Sequence, residues 1–528
     1  VLIIIFYSKK VMASMLETIR NERIAKVEEL RKSKHEPYPS KVQRTHVNAD
    51  IKNKFSELEG SIVTVVGRIL SWRDIGKLIF VGLRDFSSDL QLFIRVEDLA
   101  LSDATCELKM FDIGDFVQCT GKVMKTKTGE ISVEVQQISI ISKALRPLPE
   151  KWKGIVDDNT KLRRRYLDMV MNPEVRERFQ RRSLFWQATR EFMNENDFIE
   201  INIPVLEHLT GGADAKPFVT HYDALNEDFY LRISHELPLK RLLGGGFEKV
   251  YDIGVRFRNE GFDDEHLPEH IAMEFYWAYA NYLDGMKFTE DMFKYILKRV
   301  YGTLQFNVRG FEVNLEGKWE VRKFEDLLKE RYPGIDIYNE SEKSLNERLR
   351  KAGVDLGEEA NRARAVDNLW KLIRKDIGGP IFVIGIPKFF SPLSKTDEND
   401  ERIVERFFPV ICGSELANAF SELNDPQDQL ARFVEQQQMR DSGDEEAQML
   451  DIDFVEMLEY GMPPAFGYGM SERVFWFFEG VTAKEGVPFP QLKSEYDKLT
   501  LEIYADIRKY FEKKVKTDAK PKGSSTKK

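Results

Sequence analysis

Residues 248–282, EKVYDIGVRFRNEGFDDEHLPEHIAMEFYWAYANY, read as two long antiparallel strands joined by a charged loop. Successive side chains of a strand point to opposite faces, so Ile253, Val255 and Phe257 share one face and Arg256, Arg258 and Glu260 the other. On the return run Met273, Phe275 and Trp277 oppose Glu274 and Tyr276. One face is core and the other a polar floor. Burying such charges beside a core is costly unless they pair with each other or with a ligand. Arg258 and Glu260, two residues apart, can orient a phosphate and the amino group of a purine; a ladder of buried ion pairs accounts for the same pattern. The loop acids Asp263, Asp264 and Glu265 read as solvated.

Further along, GSELANAFSELNDPQDQ (413–429) gathers Glu415, Asn418 and Glu422 around one strand, a set suited to Mg²⁺ or a cationic substrate. Alternation puts Asn418, Phe420 and Glu422 on one face and Glu415 on the other, so a common site requires a bulge between Glu415 and Asn418. In PPAFGYGMSERVFWFF (463–478), Gly467 and Gly469 read as a close backbone turn before a helix carrying Arg473.

Upstream, five short alternating runs between Ile62 and Ala144 (IVTVVGRIL, KLIFVGLRDF, DLQLFIRV, DFVQCTGKVM, ISVEVQQISI) suit a small Greek-key barrel of the oligonucleotide-binding type. Residues 1–58 form a leader and an amphipathic helix over Met15–Arg31, with an excess of four positive charges over residues 1–60. The barrel takes 59–146. An α+β domain of enzyme size takes 147–514, with a helical insertion at about 310–395, and 515–528 is a basic, low-complexity tail. A further helix is expected over LTLEIYADIRKYFEKKVK, after Pro490.

With 528 residues and 42% hydrophobic content the chain can fill two or three packed domains. The longest apolar run, Val1–Tyr7, is too short for a membrane span, so no membrane association is expected. Cys106, Cys119 and Cys412 are too few and too scattered for a disulfide framework or a zinc site, which points to a reducing cytoplasm. A net charge of -9 argues against coating nucleic acid indiscriminately while leaving room for a local basic surface.

The three chemical elements, in this order, resemble the signature motifs of class II aminoacyl-tRNA synthetases. FIEINIPVL (198–206), with Pro204 ending a strand, resembles the first motif; FRNE around Arg258 the second; the glycine segment with Arg473 the third. TKTGE, KALRPLP, RRRYLD, GGADAKPF, SELND and LEYGMPP follow the order of the lysyl-tRNA synthetase branch, so the resemblance runs from about residue 15 to 490. It implies an OB-fold barrel followed by an antiparallel sheet of six or seven strands flanked by helices. The implied reaction is activation of lysine by Mg²⁺-bound ATP to lysyl-adenylate, then transfer to the 3′ end of tRNA(Lys), in a homodimer whose interface includes the Pro204 strand.

By matching positions, the resemblance assigns Arg258 to the α-phosphate and the lysine carboxylate, Glu260 to the adenine amino group and Arg473 to the γ-phosphate. These three are its catalytic set. His266 would help bind the triphosphate, His270 would lie against adenine, and Glu415 would ligate Mg²⁺. Gly212 and Glu236 would take the α-ammonium, Asn418 the carboxylate, and Tyr276 with Glu422 the ε-ammonium, with Glu274 nearby. In the barrel, Phe80 and Gln91 match positions that stack on and read the central anticodon uridine, with Arg73 and Glu130 as neighbours.

Physical chemistry supports lysine independently, because an ammonium buried at the end of an apolar stem needs an anionic partner. Three departures from the family pattern lie at the ATP end. Phe408 stands where a second metal-binding glutamate is expected, His270 where an aromatic ring is expected over adenine, and Glu265 where some members have arginine. The last glycine of the third motif also falls four residues before Arg473 instead of three. Two alternatives stand beside the ligase reading: an aspartyl- or asparaginyl-tRNA synthetase, and a catalytically impaired tRNA-binding paralogue.

Overall fold

Two compact units make up the protein, residues 1–156 with 493–528, and residues 157–492. The computed structural model describes residues 2–99, 107–149, 157–261, 263–354, 360–443, 446–496 and 498–510. Cys106 and the basic tail 515–528 lie outside the described residues.

The first unit begins with helix α1, Leu2–Lys32, which starts well before the expected Met15. Val27 and Leu30 are buried, and the Arg23 guanidinium donates to the carbonyls of Ala144 and Arg146 at 2.8 and 3.1 Å, which ties the helix to the segment just past the last barrel strand. Strands β1 (Ile62–Ile75), β2 (Leu78–Arg84), β3 (Asp89–Arg95), β4 (Phe116–Lys125) and β5 (Ile131–Ser142) close in the order β1-β2-β3-β5-β4. These are the five runs read from alternation, with Val65, Val81, Leu92, Val117 and Val133 fully inside. Lys143 of KALRPLP is buried and donates to Asp115 at 2.7 Å, a structural use of that motif. After Pro490 the described residues form a short helix, Lys498–Ile503, and a 3₁₀ turn, Ala505–Ile507, so the expected helix is interrupted there; its remainder, 511–516, lies outside the described residues.

In the second unit a nine-stranded sheet runs in the order 320–323, 381–384, 406–411, 418–421, 465–471, 269–278, 249–257, 199–200, with 414–415 paired to 406–411. Its middle is antiparallel as expected. Both ends are parallel pairs, 320–323 with 381–384 and 199–200 with 249–257. The two extra strands at one end come from the insertion, which therefore extends the sheet as well as adding the helices Phe324–Arg331, Glu342–Lys351 and Arg362–Arg374. Those helices bury Phe324, Leu345 and Leu369 together with Phe408 of the sheet.

Helices Pro173–Glu195 and Tyr282–Tyr301 cover the apolar face. Proline at the first turn opens one; the other has an Asn281–Asp284 capping box and ends at Gly302 in the left-handed region. Phe185, Met193, Phe275 and Met292 pack between sheet and helices. Burial of a large side chain contributes roughly 1.5–3 kcal/mol, so this face anchors the sheet and frees its other face for polar groups. Arg165 and Asp168 of RRRYLD form a buried pair at 2.9 Å, again structural.

Candidate active site

The polar face of the 249–257 and 269–278 pair lines a cavity of about 350 Å³. Register explains why these side chains meet. Glu274 lies opposite Asp252 and Tyr276 opposite Val250, while on the other side Glu274 faces Gly469 and Tyr276 faces Gly467. Gly467 and Gly469 thus belong to the strand Ala465–Ser471, not to a turn. A β-carbon on Gly467 would fall 1.8 Å from Glu422 Oε1 and 2.7 Å from Tyr276 Cε1, so the missing side chain is what lets those groups fill the space.

Glu422 is fully buried and pairs with Lys240 Nζ, which also donates to Glu236 Oε1 at 2.6 Å. Lys240 and Glu236 are one turn apart on the helix Glu236–Gly244. Burial pulls the Lys240 ammonium down, but its two carboxylates outweigh this and hold it charged, above its ordinary range. Burial pushes both carboxyls upward, because one ammonium serves two of them. Lys240 carries no obvious signal in the sequence beyond its spacing from Glu236.

Glu274 is saturated. Ser234 Oγ donates to its two oxygens at 2.9 and 3.1 Å, the His235 amide at 3.2 Å and the Tyr276 hydroxyl at 3.2 Å. Burial raises its carboxyl, yet the contacts with His235 and Arg256 win and bring it down to about 2. Glu274 therefore positions Tyr276 and Arg256. Gly212, at φ +81, lies so close to the helix that a β-carbon would stand 2.6 Å from that of Glu236; its amide donates to Gln448 at 3.2 Å. Asn418 Oδ1 accepts from Arg406 Nε at 2.8 Å, and Arg406, absent from the sequence reading, lines the cavity beside it.

The strand carrying Arg256 ends at Phe257, so Arg258 and Glu260 stand just past it at the loop mouth instead of on the strand floor. They line a second cavity of about 150 Å³ with Glu265, His266, His270 and Arg473, and Arg256 and Arg258 line both cavities. The Arg258 Nε is buried without a hydrogen-bond partner among the described residues. Arg256, placed on the polar face but not in the expected site, donates to His270 Nε2 at 2.8 Å. Burial and then the charge of Arg258 push Arg256 down to about 9; burial and both guanidinia hold His270 well below its ordinary value, hence neutral. His266 is exposed and contacts Asp263 at 2.9 Å.

Two expectations at this end need correction. Glu265 is not simply solvated, because its oxygens pair with Arg473 and with Arg309, distant in sequence. Glu415 does not share the cavity of Asn418 and Glu422: Leu416 and Ala417 separate two short strands, a wider break than a one-residue bulge. Its carboxylate accepts from Trp370 Nε1 and from Arg374 at 2.6 Å, both on the insertion's last helix. Phe408 is buried near Trp370, and among the described residues no three His, Cys, Asp or Glu side chains form a metal cluster. Magnesium binds ATP chiefly through phosphates with one or two carboxylates. Glu415, although engaged by Arg374, could offer a carboxylate oxygen to a metal that arrives with the nucleotide.

On the barrel, Arg73 pairs across from Phe80 and Phe80 from Phe93, with the two phenylalanine rings 5.3 Å apart; Gln91 is two pairs further along, opposite Gly82. Gln91 donates to Ser132 at 2.9 Å. Glu130 is exposed in the β4–β5 turn. Phe80 and Phe93 line a depression rimmed by Lys77, Arg95, Lys125 and Lys127. Arg73, Gln91 and Glu130 lie outside that depression. The rim lysines and Phe93 were missed, although the basic run around TKTGE signals part of it.

Residues 157–493 match the family described as tRNA synthetases class II (D, K and N), and residues 63–141 match the OB-fold nucleic acid binding domain. Fold, site and match define a class II synthetase with an anticodon-binding barrel. The chain is 42% identical to a lysine–tRNA ligase of Thermotoga maritima over 91% of its own length and 97% of the relative's. It is 41% identical to those of Fervidobacterium nodosum (94% and 98%) and Clostridium novyi (89% and 94%). The chain belongs to the lysine–tRNA ligase family of class II synthetases.

Proposed function

We propose that this enzyme activates lysine with ATP and esterifies it to the 3′ end of tRNA(Lys). The observation that carries the reading is the closed end of the larger cavity, where the carboxyls of Glu236 and Glu422 share the single ammonium of Lys240. Such a cluster takes up a second ammonium readily and repels an aspartate side chain. Glu422 and Tyr276 hold the substrate ε-ammonium, while Gly212 and Glu236 take its α-ammonium. Glu274 fixes the Tyr276 ring, and Asn418 with Arg258 directs the carboxylate.

With the amino acid so held, a carboxylate oxygen attacks the α-phosphorus, the bond to pyrophosphate breaks, and lysyl-adenylate forms. The tRNA 3′-hydroxyl then attacks the adenylate carbonyl and AMP leaves. Neither step needs a covalent enzyme intermediate. Catalysis is positioning and charge stabilisation: Arg258 at the α-phosphate, Arg473 at the terminal phosphate, Glu260 and His270 at adenine, His266 along the triphosphate. Mg²⁺ carried by ATP would neutralise phosphate charge, with Glu415 the residue to touch it. Neutral His270 accepts from Arg256, which leaves its ring free to lie against the base.

On the barrel, Phe80 stacks on the anticodon and Gln91 reads a base edge, with Arg73 and Glu130 beside them and the rim lysines on phosphates. A homodimer through the edge strand near Pro204 is supported by exposed Ile199, Val205, Leu206 and Leu209 there. No helix among the described residues is long and apolar enough to cross a membrane, and Cys119 and Cys412 are free, buried thiols; a cytoplasmic location follows from the proposed role. The one observation favouring an impaired tRNA-binding paralogue is that Glu265 already engages Arg473. Transfer of labelled lysine to tRNA decides: ATP-dependent charging supports the ligase, whereas tRNA binding without charging supports the paralogue.

A further inference from the structure

A second guanidinium reaches toward Arg473, and no residue role assigned so far uses it. Arg309 and Gly310 are the two turn residues of the hairpin between strands Gln305–Val308 and Phe311–Asn314. Their φ angles are +52 and +83, the left-handed pair of a type I′ turn, for which Asn-Gly is the favoured sequence. Arginine in that backbone region is strained, because its β-carbon crowds the following carbonyl oxygen. Strain of this kind persists where surrounding structure or function requires the residue.

The Arg309 side chain extends from the tip. Its Nη1 donates to Ser414 Oγ at 2.8 Å, its Nη2 donates to Glu265 Oε1, and its guanidinium carbon lies 5.3 Å from the Phe477 ring. The other Glu265 oxygen accepts from Arg473 Nη2 at 2.5 Å. One carboxylate thus bridges two guanidinia at a wall of the smaller cavity. Burial raises the Glu265 carboxyl, but Arg473 and Arg309 together hold it below its usual value, so it is ionised. Glu265 sits in a turn closed by Asp263, which accepts from the amides of Glu265 and His266 at 2.7 and 2.8 Å.

We propose that Arg309 and Arg473 together bind the terminal phosphate of ATP, and that Glu265 is an internal competing anion that the phosphate displaces. This rests on reading the smaller cavity as the ATP site and adds a phosphate ligand supplied by a separate hairpin. Two oxygens of a carboxylate spanning two guanidinia occupy the places that two phosphate oxygens would take. The doubly charged phosphate has three acceptors against the carboxylate's two, so it wins the exchange. Competition lowers apparent ATP affinity by the fraction of enzyme in which Glu265 is in place. Nucleotides lacking the terminal phosphate gain nothing from opening the pair.

The test uses the full-length enzyme, with ATP and AMP binding measured by calorimetry and KM values by lysine-dependent ATP–pyrophosphate exchange. Arg309→Asn suits the left-handed turn, so it folds at least as stably as the parent. It should weaken ATP by about tenfold or more while changing AMP affinity and lysine KM by less than about twofold. Glu265→Gln should tighten ATP severalfold. The proposal is overturned if Arg309→Asn leaves ATP affinity unchanged or weakens AMP equally, or if Glu265→Gln weakens ATP. Failure of the ligase reading looks different: the unmodified enzyme then shows no lysine-dependent exchange, while direct ATP binding still reports on Arg309.

Discussion

Lys240 and Glu422 form an ion pair in which both side chains are wholly shielded from solvent, with Glu236 on the other side of the same ammonium at 2.6 Å. Glu422 therefore does not wait unpaired for substrate. Glu422→Gln keeps its shape and deletes its charge. Lysine KM should rise by about two decades, roughly 3 kcal/mol, while ATP KM stays within about threefold because Arg258, Glu260 and Arg473 are untouched. Weakened ATP with an unchanged lysine KM would move Glu422 to the phosphate end of the site.

The same cluster predicts a proton count. Burial pushes the carboxyls of Glu236 and Glu422 above the usual carboxylate range, while the one ammonium of Lys240 pulls against it on both. A second ammonium, from the substrate, lowers those carboxyls further and so favours release of protons on binding. Calorimetry of lysine binding near pH 7, in buffers of different ionisation enthalpy, should show a buffer-dependent heat corresponding to proton release. Glu422→Gln should abolish that dependence. Identical heats in all buffers for the parent enzyme would contradict the account.

Gly467→Ala places a methyl group where Glu422 Oε1 and Tyr276 Cε1 now lie, 1.8 and 2.7 Å away. Glu422 must withdraw, so lysine KM should rise at least about tenfold, with a stability cost of roughly 1–3 kcal/mol from overpacking. An unaltered lysine KM would show that Glu422 is not held against substrate.

Acid stability should depend on Glu274. Its carboxyl lies at about 2 in the folded enzyme against an ordinary 4.5. A depressed folded value contributes stability that is fully present above about 4.5 and is lost as pH falls toward about 2, amounting to about 3 kcal/mol. Glu274→Gln should therefore be less stable in urea at pH 7, and its stability should fall less steeply between pH 4.5 and 2. Parallel pH profiles for the two proteins would contradict this.

Phe80→Ala should raise tRNA KM by roughly ten- to a hundredfold, the loss of about 1–3 kcal/mol of base stacking. Exchange in the absence of tRNA should be unaffected. Equal charging by both proteins would remove Phe80 from the anticodon site.

Alternation alone made the barrel strands and the polar floor legible, because period two assigns a face to each residue of 248–282 without knowledge of its neighbours. The same rule failed where strands break or end. Glu415 and Asn418 lie on separate strands, and Arg258 and Glu260 lie past the end of theirs. The spacing of Gly467 and Gly469 suggests a turn, yet they are strand residues that make room for side chains across the sheet. Glu265 looked solvated because its partners, Arg309 and Arg473, are brought to it only by tertiary packing. Lys240 and Arg406 were missed for the same reason, and the insertion's strands 320–323 and 381–384 were too short to stand out among its helices.

Lysine selection is the central claim, and ATP–pyrophosphate exchange with single amino acids tests it most directly. Lysine alone should stimulate exchange, because only its side chain brings an ammonium to Glu422 and Tyr276. Stimulation by aspartate or asparagine, with none by lysine, would contradict the account.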